Sequence, residues 1–283
     1  MTNVKIIECP RDAMQGWKTF IPTEKKIEWI NTLLQVGFDT LDFGSFVSPK
    51  AIPQLADTRE VLAKIKMSDT KLLAIIANTR GAEEAVQYDE ISYLGFPFSI
   101  SETFQKLNTN SSIADSLIRV EEIQKLCIQK NKQLVIYISM GFGNPYGDPY
   151  NAEVALKWVD ELQKLGVQIF AMSDTVGVSA PDNISYIFSN LQAEFSNLEF
   201  GAHFHSTKEK AAEKIEAALK SGCRRFDAAI GGIGGCPMAQ DDLVGNLATE
   251  QLLNTLEQNG YQISLNQEAL MKAQAISSSI FNA

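Results

Sequence analysis

Val4-Lys5-Ile6-Ile7-Glu8-Cys9-Pro10-Arg11-Asp12 opens the chain with a short apolar run that gives way at once to a polar turn. An open, doubly wound sheet usually carries a glycine-rich phosphate turn after its first strand. Cys9-Pro10-Arg11-Asp12 stands in that place and no GxGxxG follows, which favours a closed ring of parallel strands. Seven more β-rich runs follow, at residues 40–44, 72–77, 90–96, 134–140, 168–173, 199–204 and 225–230. Amphipathic stretches of helical period lie between them, among them residues 23–36, 112–130, 152–165, 181–194 and 207–221. Several open on Ser, Thr or Pro, and Gly37 and Gly166 each follow a helical run, where a left-handed cap is expected. Eight strand–helix units without a linker predict one (β/α)8 TIM barrel spanning residues 1–283. A further helix is expected from about 265 to 281, covering one end of the barrel or contacting a second subunit.

The chain has 283 residues, 45% hydrophobic and 21% charged, the composition of a globular protein with a large core. Its formal charge of −9 argues against nucleic acid or an anionic membrane as a general partner. No apolar run approaches the ~20 residues needed to cross a bilayer, and no charged-then-apolar leader precedes the first strand. Cys9, Cys127, Cys223 and Cys236 show no CxxC spacing, so neither a zinc framework nor a disulfide framework is suggested. A cytoplasmic protein is expected.

His203 and His205 are the only histidines. One residue apart on a strand, they share a face while Phe204 takes the other. Two imidazoles converging at a strand end are candidate metal ligands. In a barrel, chemistry sits where strands run out into the following loops. Arg11, Asp12, Asp42, Ser139, Asp174, His203 and His205 fall at such exits, and all are expected to face one mouth. Asp12 would add a hard oxygen to the imidazoles, a mixed set suited to Mg²⁺ or Mn²⁺. Arg11 offers a planar fork for a carboxylate or a developing enolate oxygen. Asp174 serves equally well as a helix cap. Gly231-Gly232-Ile233-Gly234-Gly235-Cys236-Pro237 reads either as a tight barrel exit or as a lid carrying a reactive thiol.

Further markers join these residues. They are Gln15 and Lys18 after Pro10-Arg11-Asp12, Ser45-Phe46-Val47-Ser48-Pro49-Lys50, Ser173-Asp174-Thr175-Val176-Gly177, Gly234-Gly235-Cys236-Pro237 and Gly245-Asn246-Leu247-Ala248-Thr249-Glu250. Together they resemble the hydroxymethylglutaryl-CoA lyases, within the barrel metallolyases that include isopropylmalate and homocitrate synthases. The resemblance covers nearly the whole chain. It implies metal ligands at Asp12, His203, His205 and Asn246, a catalytic arginine at Arg11, a loop thiol at Cys236, and active-site acids at Asp42 and Asp174.

Asp42 stands where these lyases carry Glu, which keeps the carboxylate and shortens its reach. Cys9 replaces a glycine, Ser206 replaces an acid, and the loop between Cys236 and Asn246 is one residue longer. The implied reaction is retro-Claisen cleavage of 3-hydroxy-3-methylglutaryl-CoA to acetyl-CoA and acetoacetate, as in leucine degradation and ketone-body formation. His203 or a nearby carboxylate would act as base. Lys18 and Lys50 would supply charge near the CoA phosphates, and a homodimer is usual for such lyases. The alternatives are an acyl-CoA lyase of altered substrate, an acetyl-CoA-dependent condensing synthase on the same barrel, and a barrel that serves only as a binding protein.

Overall fold

Eight parallel strands hydrogen-bond side by side in chain order, and the eighth closes on the first. A computed structural model describes residues 4–235 and 244–282. The strands are β1 (Lys5–Glu8), β2 (Thr40–Ser45), β3 (Lys71–Ile75), β4 (Ile91–Ser99), β5 (Gln133–Ser139), β6 (Ile169–Asp174), β7 (Glu199–Phe204) and β8 (Arg225–Ala228). The helices are α1 (Pro10–Gln15), α2 (Thr23–Leu33), α3 (Thr58–Lys64), α4 (Thr79–Ala85), α5 (Glu102–Thr109), α6 (Ile113–Gln129), α7 (Ala152–Lys164), α8 (Pro181–Glu194), α9 (Lys208–Lys220), α10 (Thr249–Gln258) and α11 (Gln267–Phe281). No helix among the described residues is long and apolar enough to cross a membrane.

The two-residue period of the strands sorts their side chains into two layers. Leu73, Tyr93, Val135, Tyr137, Ile169 and Ala171 point into the ring. Their neighbours Leu72, Leu94, Ile136, Phe170 and Met172 point outward and merge with the apolar faces of the helices. Helix ends are set locally. Ser112 and Asp115 form a capping box at the start of α6, Asn151 caps α7, and Gly37 and Gly166 take the positive φ that a left-handed cap requires.

The structure extends β4 beyond the expected stop at Phe96, through Pro97 to Ser99. Gly95 is the last residue of β4 paired with β3, so Pro97 lies past the end of that neighbour. Its missing N–H stops that ladder: the last rung is Ile76 N–H to the Gly95 carbonyl, and Pro97 pairs only with Tyr137 of β5. The added helix forms as expected. α11 runs antiparallel along α2 on the outside of the ring: Asn266 N–H donates to the Val36 carbonyl, and Phe281 packs edge-on against Trp17 and Trp29.

Glu8 points outward from β1 and is fully buried. Its carboxyl oxygens meet the Ile230 N–H at 2.9 Å and the Thr249 hydroxyl at 2.5 Å. Burial pushes its pKa from 4.5 up to about 8, against the pull of those two hydrogen bonds. The folded state thus holds a proton that the unfolded chain has released. The stability contributed by this proton is complete below pH 4.5 and is lost as pH rises through about 8. Glu8→Gln, which mimics the protonated form, should stabilise the protein at pH 9 by on the order of 3 kcal/mol and change little at pH 5. Thermal melts at both values check this; parallel shifts of variant and wild type would refute it.

Candidate active site

Pro10 starts α1 directly after β1, so Arg11, Asp12 and Gln15 come off the first turns at the mouth of the ring. Arg11 is almost wholly committed. Nε donates to both oxygens of Asp42 at 3.2 and 3.0 Å, and Nη2 donates to Asp42 Oδ2 at 2.5 Å. Nη1 donates to Asp12 Oδ1 and to Gln15 Oε1, both at 2.8 Å. Counting five N–H groups, one on Nη2 stays uncommitted on a side chain that lines the pocket. Burial raises the Asp42 carboxyl to about 6 although Arg11 pulls it down. Burial works the same way on Asp12, but Arg11 and the two imidazoles outweigh it and hold that group down at about 2.

His203 ends the inward face of β7, and His205 continues it one residue past the strand. His205 forms an antiparallel bridge with Asn246, closed by Ser206 N–H to the Gly245 carbonyl and Leu247 N–H to the Phe204 carbonyl. Each imidazole is tied through Nδ1. His205 Nδ1 lies 3.0 Å from the Thr175 carbonyl, and His203 Nδ1 lies 3.1 Å from Asp227 Oδ2. A carbonyl only accepts, so Nδ1 of His205 carries the proton and Nε2 presents its lone pair. That Nε2 is buried and has no hydrogen-bond partner. Burial, followed by the neighbouring His203, lowers the His205 pKa to about 4, so the ring is neutral at physiological pH.

Asp12, His203 and His205 offer ligand atoms that all lie within 4.8 Å of one another. A hard carboxylate, two imidazoles and an orphaned buried lone pair fit a divalent cation. Asn246 Nδ2 donates to Asp12 Oδ2 at 2.7 Å and to the Ile233 carbonyl at 2.9 Å, which leaves its amide oxygen as the remaining donor atom. Gly234, at φ +96°, permits this approach: a Cβ there would stand 2.7 Å from Asn246 Nδ2 and 2.8 Å from the Asp12 carbonyl oxygen. Cys9, His203 and Asp227 form a second grouping of donor atoms that shares His203. Burial drives the Cys9 thiol well above its usual range, away from the thiolate a metal would need.

The site opens into a pocket of about 160 Å³, walled by Val47, Ile75, Pro97 and Tyr137 on its apolar side and by Ser139, Ser173 and Thr175 on its polar side. Asp174 is not part of that wall. Ile169, Ala171 and Ser173 point inward on β6, and the pleat turns Asp174 outward. There it accepts from Lys214 Nζ at 2.7 Å, from the Ser179 hydroxyl at 2.5 Å and from the Ser179 N–H at 3.1 Å. Lys214 Nζ also donates to the His205 carbonyl at 3.0 Å. Lys18 and Lys50 are exposed on the loops after β1 and β2 and do not line the pocket. Cys236 lies outside the described residues. Asp227 and Lys214 escape a reading of strand ends alone. The signal for Asp227 is an acid between Phe226 and Ala228 in a short buried strand, two residues along from another charged residue, Arg225.

Residues 3–276 match the family model described as HMGL-like. The chain belongs to the HMGL-like family. It is 32% identical over 265 residues to a hydroxymethylglutaryl-CoA lyase of Bacillus subtilis, a match covering 93% of this chain and 88% of that protein. It is 33% identical to the human cytoplasmic 3-hydroxy-3-methylglutaryl-CoA lyase, over 95% of this chain and 73% of that one. Among solved structures, the HMG-CoA lyase from Brucella melitensis superposes with a TM-score of 0.92 at 31% identity, covering all of both chains. An HMG-CoA lyase from Acinetobacter baumannii, solved in complex with coenzyme A and 3-methylmalate, gives 0.91 at 32% identity over 100% of this HMGL-like chain and 93% of that chain.

Proposed function

We propose that this chain is an enzyme that cleaves 3-hydroxy-3-methylglutaryl-CoA to acetyl-CoA and acetoacetate, with Mg²⁺ or Mn²⁺ held by Asp12, His203, His205 and Asn246. The observation that carries the reading is the Asp12–His203–His205 donor triangle at the floor of an open pocket, beside the uncommitted N–H of Arg11. A divalent ion bound there supplies Lewis acidity that lowers the pKa of a hydroxyl placed against it. Cleavage breaks the C2–C3 bond, and its electrons pass to the thioester as an enolate. Arg11 stabilises the enolate oxygen with its free N–H, and Asp42 holds the guanidinium in plane. The proton from the 3-hydroxyl goes to a base drawn from His203 and Asp42; a carboxyl near 6 matches that task. Cys236 is assigned to return a proton to C2 of the enolate. Asp174 acts through Lys214, which fixes the backbone of His205.

Lys18 and Lys50 are assigned to the CoA phosphates, with enough exposed reach to fold over a ligand at the mouth. We further propose a cytoplasmic homodimer that serves leucine degradation. The test is a spectrophotometric assay for acetoacetate from 3-hydroxy-3-methylglutaryl-CoA, with added Mg²⁺ or Mn²⁺ and after chelation. Cleavage that stops on chelation and returns with metal is the expected outcome. Absence of cleavage by folded, metal-loaded protein would overturn the reading, and CoA release from acetyl-CoA with a 2-oxo acid would then identify a condensing synthase.

A further inference from the structure

Below the site, the ring interior departs from the layers of branched aliphatic side chains usual in this fold. Arg225 of β8 points inward and is wholly buried. Gly201 on β7 makes way for it: a Cβ there would stand 2.8 Å from Arg225 Cδ and 2.9 Å from Cγ. The guanidinium crosses to the far wall, where Cζ lies 5.8 Å from the centre of the Tyr93 ring. Its Nη1 donates to Glu199 Oε1 at 3.2 Å, but Nε and Nη2 have no hydrogen-bond partner.

Two other buried atoms of the ring interior share that condition, Tyr137 Oη and Asp227 Oδ1. Asp227 follows Arg225 by two residues and so shares its inward face. Tyr137 sits edge-on to His203, ring centres 5.5 Å apart, and is accommodated by Gly95, whose Cβ would stand 2.9 Å from Tyr137 Cε2. Buried donors and acceptors left unpaired are costly and uncommon. These atoms are complementary in sense: donors on Arg225, an acceptor on Asp227, and a hydroxyl able to do either. An anion would be repelled by Asp227 and a cation by Arg225, which leaves a neutral hydroxylic molecule with two to four polar partners.

We propose that the ring interior is an internal-water site in which water accepts from Arg225 Nε or Nη2 and donates to Asp227 Oδ1, with Tyr137 Oη completing its shell. Arg225 is thereby a positioning residue for His203, because the other oxygen of Asp227 holds His203 Nδ1. This second half rests on the reading of His203 as a metal ligand; the water site does not.

A high-resolution crystal structure of the unaltered protein should show water bonded to Arg225 and Asp227. A direct Arg225–Asp227 ion pair in its place would overturn the site. Titration of Mn²⁺ by calorimetry should give a Kd ~10-fold weaker in Arg225→Met than in wild type. A merely structural role would change the melting temperature and leave this constant alone, so a Kd within twofold of wild type would overturn the positioning role. Wild-type protein that binds no Mn²⁺ while its crystal shows the water would refute the ligand reading and the positioning role together, and leave the water site standing.

Discussion

Arg11→Met should lower turnover of 3-hydroxy-3-methylglutaryl-CoA by at least ~10³-fold and destabilise the fold as well. The two effects have one origin. Arg11 is the ion-pair partner of both Asp42 and Asp12, with side-chain exposures of 7%, 1% and 8% for the three residues. Removing one member of a buried ionic group leaves uncompensated charge, at a typical cost of ~3–5 kcal/mol. Asp42 can relieve part of this by taking up a proton, since burial already raises its pKa to about 6. Asp12 relieves it less readily, because its carboxylate also accepts from Asn246. Arg11→Lys should recover little, since an ammonium cannot engage both oxygens of Asp42 while reaching Asp12 and Gln15. Steady-state kinetics beside thermal melts test the claim. Turnover within tenfold of wild type would remove Arg11 from the chemistry.

His205→Ala should weaken Mn²⁺ binding by more than the ~10–100-fold typical of losing a partner that only orients a ligand. The substitution deletes the buried, unpartnered Nε2 and releases the Thr175 carbonyl from Nδ1. Phe204, which packs edge-on against Phe142 and Phe188, keeps the strand end in place, so the scaffold around the missing ring should persist. Calorimetric titration separates this from unfolding: a folded variant with wild-type affinity would take His205 out of the ligand set.

The ring itself is legible in the sequence because short β-rich runs alternate with stretches of helical period along the whole chain. The absence of a phosphate-binding turn after β1 favours the closed ring over the open, doubly wound sheet. The run expected for β4 ends at Phe96, and only the pairing of Pro97, Phe98 and Ser99 with β5 shows that the strand continues. The convergence of Arg11, Asp12, His203 and His205 is legible from strand exits. The direction of Asp174 is not, because one step of pleat separates the pocket from the helical layer. Asp227 shows the converse: it lies deep in a strand, and its use depends on a partner on β7 that no local pattern names.

The contact between Asn246 and Asp12 joins residues 234 positions apart, and that between Thr249 and Glu8 spans 241. A growing polypeptide therefore carries most of its strands before any cation pocket can exist. Contacts of such separation form only after the first and last strands have met, a slow entropic step. A metal taken up by Asp12, His203, His205 and Asn246 would therefore act as a latch on the finished ring and not as a template for it, drawing the folding equilibrium forward at its last stage.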